Sequence, residues 1–128
     1  MARRNPYRIL LAEDNYDMRT LLMEELTKCS HLVVEANHGI DFLDLVKNPF
    51  QGQPWDLIIS DIRMPGVTGL EILEDIRRTG DATPVILITA FGDGESHARA
   101  KKLGISGFFD KPFILQDLLQ CVDKTLAA

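Results

Sequence analysis

Short apolar runs alternate with amphipathic stretches along the whole of this chain. The pattern reads as about five βα units, and such alternation argues for a parallel sheet with helices on both faces. A sheet of this kind gathers the ends of its strands along one edge. In open α/β sheets that carboxyl edge is where ligands bind.

The first strand is expected over Arg8 to Ala12, followed by a helix with Met18, Leu21, Leu22 and Leu26 on one face. Val33 and Val34 mark a short second strand, and Phe42, Leu43, Leu45 and Val46 a second helix. Asn48 to Pro54 is a loop rich in breakers. The third strand covers Asp56 to Ser60. Thr68 followed by Glu71 predicts a capping box, with Gly69, Ile72, Leu73 and Ile76 as the buried face of the third helix. Thr79-Gly80-Asp81 ends that helix, and the fourth strand follows Pro84. The fourth helix, near Asp93 to Leu103, is the weakest, carrying Glu95, His97, Arg99, Lys101 and Lys102 and few large apolar residues. With little apolar area to bury it should be among the less stable elements. Gly104 suits its C-terminal cap. Leu115, Leu118, Leu119, Val122 and Leu126 form one stripe on the last helix.

A length of 128 residues suits one domain, taken here as residues 1–128 with a core of about 7–126. No repeat, low-complexity tract or interdomain linker interrupts it. A net charge of −5 disfavours nonspecific nucleic-acid binding, which draws on Lys and Arg to neutralise phosphates. The basic start, Arg3-Arg4 and Arg8, is expected to keep the beginning of the first strand solvated. No apolar stretch approaches the roughly 20 residues that span a bilayer, and no signal-peptide pattern opens the chain. Cys29 and Cys121 lack metal-type spacing and read as two free thiols in a reducing cytosol.

Four strand ends carry polar chemistry. Glu13-Asp14 follows the first run, Asp61 the third, Thr89 ends the fourth, and Lys111 follows Gly107-Phe108-Phe109. Three carboxylates at one point raise each other's pKa unless a cation neutralises them. An all-oxygen acidic site suits Mg²⁺, which uses few carboxylates, several waters and a phosphate oxygen. The pattern therefore indicates an Mg²⁺ site that brings in a phosphoryl group. Asp61 is the best nucleophile, since carboxylates form aspartyl-phosphates. Lys111 offers a point charge and Thr89 a hydroxyl to phosphate oxygens. Singly, each has a plainer reading: Asp14 as a helix cap, Lys111 as a surface lysine, Thr89 as a β-branched strand residue. The loop Glu13-Asp14-Asn15-Tyr16-Asp17 is not glycine-rich, which argues against a P-loop or a dinucleotide fingerprint.

These residues, in this order, resemble the receiver domain of two-component response regulators, including the chemotaxis receivers. The resemblance covers roughly Tyr7 to Leu126. It rests on Glu13-Asp14, on Ser60-Asp61-Ile62-Arg63-Met64-Pro65-Gly66, on Thr89-Ala90 and on Lys111-Pro112-Phe113. It implies a single flavodoxin-like (βα)5 domain with strand order 2-1-3-4-5. It implies phosphoryl transfer to Asp61 from a sensor histidine kinase, a phosphotransfer protein or a small phosphodonor. Asp14, Asp61 and the backbone carbonyl of Arg63 would bind Mg²⁺ directly, with Glu13 acting partly through water. Thr89 and Lys111 would contact the phosphoryl oxygens, and the Lys111-Pro112 bond would be cis.

Phe108 falls at the family's switch-aromatic position, and is equally a core strand residue. Phosphorylation would draw Thr89 inward and change the surface of the fourth helix, fifth strand and fifth helix. Arg63 and Phe91, two residues after Asp61 and Thr89, are poor water-orienting groups, so slow self-dephosphorylation is expected. The resemblance implies no enzyme beyond the domain's own phosphorylation and dephosphorylation, a cytoplasmic location, an output domain or protein that is not specified, and no direct contact with nucleic acid or membrane. A phosphorylation-dependent dimer through the fourth-helix to fifth-helix face is compatible with it. An Mg²⁺-dependent phosphatase using Asp61 is the competing enzymatic reading, weakened by the arginine at position 63. A receiver that binds partners without phosphorylation is the third.

Overall fold

The computed structural model describes residues 6–64, 66, 68–90 and 94–127, and the backbone but not the side chain of Phe50. Five strands form the sheet: β1 Arg8–Ala12, β2 Leu32–Ala36, β3 Leu57–Asp61, β4 Val85–Thr89 and β5 Gly107–Asp110. They lie in the order β2-β1-β3-β4-β5, and every neighbouring pair is parallel. The helices are α1 Tyr16–Lys28, α2 Gly39–Lys47, α3 Gly69–Arg78, α4 Gly94–Leu103 and α5 Leu115–Ala127. The expected loop between α2 and β3 contains one 3₁₀ turn, Phe50–Gly52.

Successive strand side chains point to opposite faces, so each central strand feeds two cores. Leu10, Ile58 and Leu87 pack with Leu70, Ile72, Leu73 and Ile76 of α3 on one face. Ile9, Leu11, Ile59, Ile86 and Ile88 pack with Leu22 and Leu26 of α1 and Leu118, Val122 and Leu126 of α5 on the other. Coverage of both faces explains why β1, β3 and β4 read as unbroken apolar runs.

Local signals account for the helix ends. Both hydrogen bonds of the Thr68–Glu71 capping box are present. Gly80 and Gly104 adopt φ of +85° and +86°, ending α3 and α4. Gly69 has a different role: a Cβ there would lie 2.7 Å from the Asp61 carbonyl oxygen and 2.8 Å from Ser60 Oγ. Only a residue without a side chain lets α3 start this close to the end of β3.

Three expectations need correction. Arg8 does not solvate the beginning of β1; it is buried, its amide donates to Asp56 Oδ2 at 2.7 Å, and its guanidinium lies over Trp55. Long arginine stems readily cover apolar surface in this way. Leu21 leaves the apolar face of α1 and is exposed, because Leu22 and Leu26 already fill the contact with the sheet. Asp14 does not cap α1. Asn15 does, its side chain accepting the Met18 N–H at 2.8 Å.

The sparse core of α4 is as expected, since Ala100 is its one buried residue. Polar attachments hold it instead. Arg77 of α3 donates to the carbonyls of Leu103 and Gly104 at 3.0 and 2.9 Å, and Arg99 pairs with Glu74. The start of this helix was expected at Asp93, which lies outside the described residues.

Candidate functional site

β1 and β3 are adjacent, so their carboxyl ends deliver Glu13, Asp14 and Asp61 to one point. One carboxylate oxygen from each lies within 4.8 Å of the others. Glu13 is fully buried; its N–H continues the ladder to Ala36 O at 3.0 Å, and its Oε2 accepts from the Asn15 N–H at 3.0 Å. Asp14 is exposed at the rim. Asp61 is 5% exposed and sits in a tight turn whose Arg63 N–H donates to its Oδ1 at 2.9 Å.

Lys111 arrives from the other side. Its Nζ donates to Asp61 Oδ2 at 2.9 Å and pairs with Glu13 Oε1 at 3.0 Å. The Lys111-Pro112 bond is cis, and the Lys111 N–H donates to the Thr89 carbonyl at 2.7 Å. The plain reading of Lys111 as a solvated surface lysine therefore fails.

Electrostatics separate the acids. The Glu13 carboxyl is pushed up to about 7, first by burial and secondarily by the Asp61 charge, against the pull of the Asn15 amide and Lys111. Desolvation, rather than mutual repulsion, is the leading cause. Burial alone would lower the Lys111 amine, but its bonds to Asp61 and Glu13 outweigh that and raise it.

The donor set fits a hard divalent cation. It is all oxygen, carries three carboxylates and opens to solvent at Asp14. Among the described residues Glu13 Oε1 is buried without an aligned hydrogen bond, its contact with Lys111 being ionic.

Thr89 is buried at the end of β4, one residue beyond Ile88, the register partner of Asp61. Phe108 pairs with Leu87 across β4 and β5 and is half-buried. Phe91 lies outside the described residues. Two residues near the site escaped the sequence pattern. His97 stacks on Phe108, with ring centroids 3.7 Å apart, and its Nε2 is 3.2 Å from Asp110 Oδ2. Arg19 donates to the Glu13 carbonyl at 2.9 Å. Neither belongs to a strand-end motif; the spacing from Asn15, one helical turn, was the only signal for Arg19. Cys29 and Cys121 are free, as expected.

A family model described as "Response regulator receiver domain" matches residues 9–123. Sporulation initiation phosphotransferase F of Bacillus subtilis is 33% identical over 119 residues, covering 93% of each chain. Response regulator MprA of a Mycobacterium species is 32% identical over 114 residues, covering 89% of this chain and 48% of that protein. This chain thus spans nearly all of the first relative and about half of the second. Among solved structures, the non-phosphorylated HemR receiver domain of Leptospira biflexa superposes with a TM-score of 0.83 at 26% identity, covering 95% of both chains.

Proposed function

This chain belongs to the response regulator receiver domain family, and on that premise we propose that it is a phospho-accepting switch whose acceptor is Asp61. Membership places it in two-component signalling. The observation that carries the finer reading is the contact of one ammonium, Lys111, with both Asp61 and Glu13 beside an exposed Asp14.

An Asp61 carboxylate oxygen forms the new O–P bond while the donor's bond to phosphorus breaks and the donor leaves. The donor is a histidine kinase, a phosphotransfer protein or a small phosphodonor. Phosphoryl transfer needs positioning and charge neutralisation more than covalent help. Lys111 already touches Asp61 and neutralises a phosphoryl oxygen with little movement. The Thr89 hydroxyl serves a second oxygen. Asp14, Asp61 and the Arg63 carbonyl would hold Mg²⁺, with Glu13 as the supporting acid beside them. When bound, Mg²⁺ neutralises charge on the transferring group.

The output is a change in the surface formed by α4, β5 and α5, driven through Thr89 and Phe108. Arg63 and Phe91 supply no base to orient an attacking water, so the acyl phosphate should persist. The domain acts on its own Asp61 and does not turn over substrates as a phosphatase. Among the described residues no helix is long and apolar enough to cross a membrane; the proposed site of action is the cytoplasm. Its output target is a protein or attached domain, reached with or without dimerisation.

Beryllofluoride, a phosphoryl mimic, tests the reading. With Mg²⁺ present it should shift the amide resonances of Thr89, Phe108 and Lys111. Unchanged spectra at saturating beryllofluoride, from a folded protein, would favour a receiver that works without phosphorylation.

A further inference from the structure

We infer that Arg19 is a positioning residue for the metal-binding acids, acting through the backbone of the β1–α1 loop. The inference rests on the proposed Mg²⁺ site and adds to it a residue that no strand-end motif contains.

Asp14 is the least constrained member of the acidic group. It is exposed, and among the described residues no hydrogen bond holds its carboxylate. Its direction is therefore set by the peptide that precedes it. That peptide is the Glu13–Asp14 unit, where the chain leaves β1. The Glu13 N–H is still tied to β2 through Ala36 O, but the carbonyl has left the ladder.

Arg19 takes that carbonyl. Its Nη1–H donates to Glu13 O at 2.9 Å, and its Nε lies 3.5 Å from Glu35 Oε1 on β2. Its guanidinium lies over the Tyr16 ring, 5.6 Å from the centroid. The side chain is 14% exposed, so the arginine is wedged rather than waving in solvent. One planar fork thus ties the end of β1 to α1 and β2. A planar guanidinium with several fixed donors can do this; a single ammonium cannot make all the contacts together. Outer partners that orient metal ligands commonly matter for affinity by an order of magnitude or more.

The sign of the effect separates positioning from plain electrostatics. Arg19 is a cation near a cation site, so removing its charge should tighten Mg²⁺ binding if charge were all that mattered. Loss of positioning weakens binding instead. A merely structural arginine would lower the melting temperature and leave the affinity of the folded protein unchanged.

The test is calorimetric titration of the whole protein with MgCl₂ at fixed pH and ionic strength, for wild type, Arg19→Gln and Arg19→Lys, with folding checked by circular dichroism. Arg19→Gln should weaken Mg²⁺ binding by about three- to tenfold. Arg19→Lys, which keeps the charge and can reach only one acceptor, should fall between. Wild-type or tighter affinity in folded Arg19→Gln overturns the inference. If Arg19→Gln does not fold, Arg19→Lys decides, and wild-type affinity there overturns it equally. A folded wild type that binds no Mg²⁺ removes the metal site itself and the inference with it, an outcome separate from a variant that binds normally.

Discussion

The His97 imidazole covers the Phe108 ring, stacked at 3.7 Å between centroids with 26° between planes. The same imidazole reaches Asp110, the register partner of Thr89 and the residue before Lys111. One side chain of α4 therefore touches the proposed switch aromatic and the strand that delivers Lys111. Aromatic pairs of this kind contribute about 0.5–1.5 kcal/mol. Because α4 buries only Ala100, that is a large share of what fixes its position. His97→Ala should lower amide-exchange protection across α4 roughly fivefold, with α1 and α5 unaffected. Unchanged protection in α4 would show that its attachment to α3 suffices.

The raised Glu13 carboxyl predicts a pH dependence with a definite sign. A carboxyl group lifted from 4.5 to about 7 prefers its neutral form in the fold. It adds no penalty below the unfolded value, destabilises progressively as pH rises from 4.5 to 7, and does so fully above that. Glu13→Gln should therefore exceed wild type in metal-free stability at pH 8, by up to about 3 kcal/mol, and match it near pH 4.5. Added Mg²⁺ should shrink the gap by binding the wild-type fold. Urea unfolding at the two pH values, with and without Mg²⁺, reads this directly. A gap that is the same at both pH values would assign the effect to packing.

Lys111 has the opposite role in the metal-free protein, since it neutralises Asp61 and Glu13. Lys111→Met should cost about 1–2 kcal/mol at pH 8, below the usual loss for a buried pair because the ammonium is partly solvated. It should also tighten Mg²⁺ binding, as the acids lose their resident cation. Weaker Mg²⁺ binding in this variant would mean that Lys111 orients the acids rather than competing with the metal.

Gly69 and Gly94 both begin helices, yet should respond differently to a methyl group. Gly69→Ala places its Cβ against the Asp61 carbonyl and Ser60 Oγ, so overpacking should cost about 1–3 kcal/mol and slow the proposed phosphorylation by shifting the turn that carries Asp61. Among the described residues a Cβ at Gly94 meets nothing within 4 Å, so Gly94→Ala should be neutral or stabilising by up to about 1 kcal/mol. Equal unfolding midpoints for the two variants would contradict the close packing of α3 on β3.

Much of this was legible in the sequence because it depends on local rules. The apolar runs marked the strands because both sheet faces are covered, and Thr68 with Glu71 marked the start of α3 because the cap is built from neighbours in sequence. The acids, Asp61, Thr89 and Lys111 were legible as strand ends, which a parallel sheet must collect on one edge. What escaped depends on partners distant in the chain. Arg8 looked like a solvating charge because Asp56 and Trp55, nearly fifty residues away, are what bury it. His97 looked like part of a charged surface because its partners lie on β5. Asn15 took the capping role from Asp14 through a difference of one residue, which periodicity does not resolve.

The most direct measurement is the intact mass of the protein after incubation with acetyl phosphate, with and without Mg²⁺, beside Asp61→Asn. A single phosphoryl adduct that requires Mg²⁺ and is absent from Asp61→Asn is the predicted result. No adduct on the folded wild type, or an undiminished adduct on Asp61→Asn, would contradict the assignment of Asp61 as the acceptor.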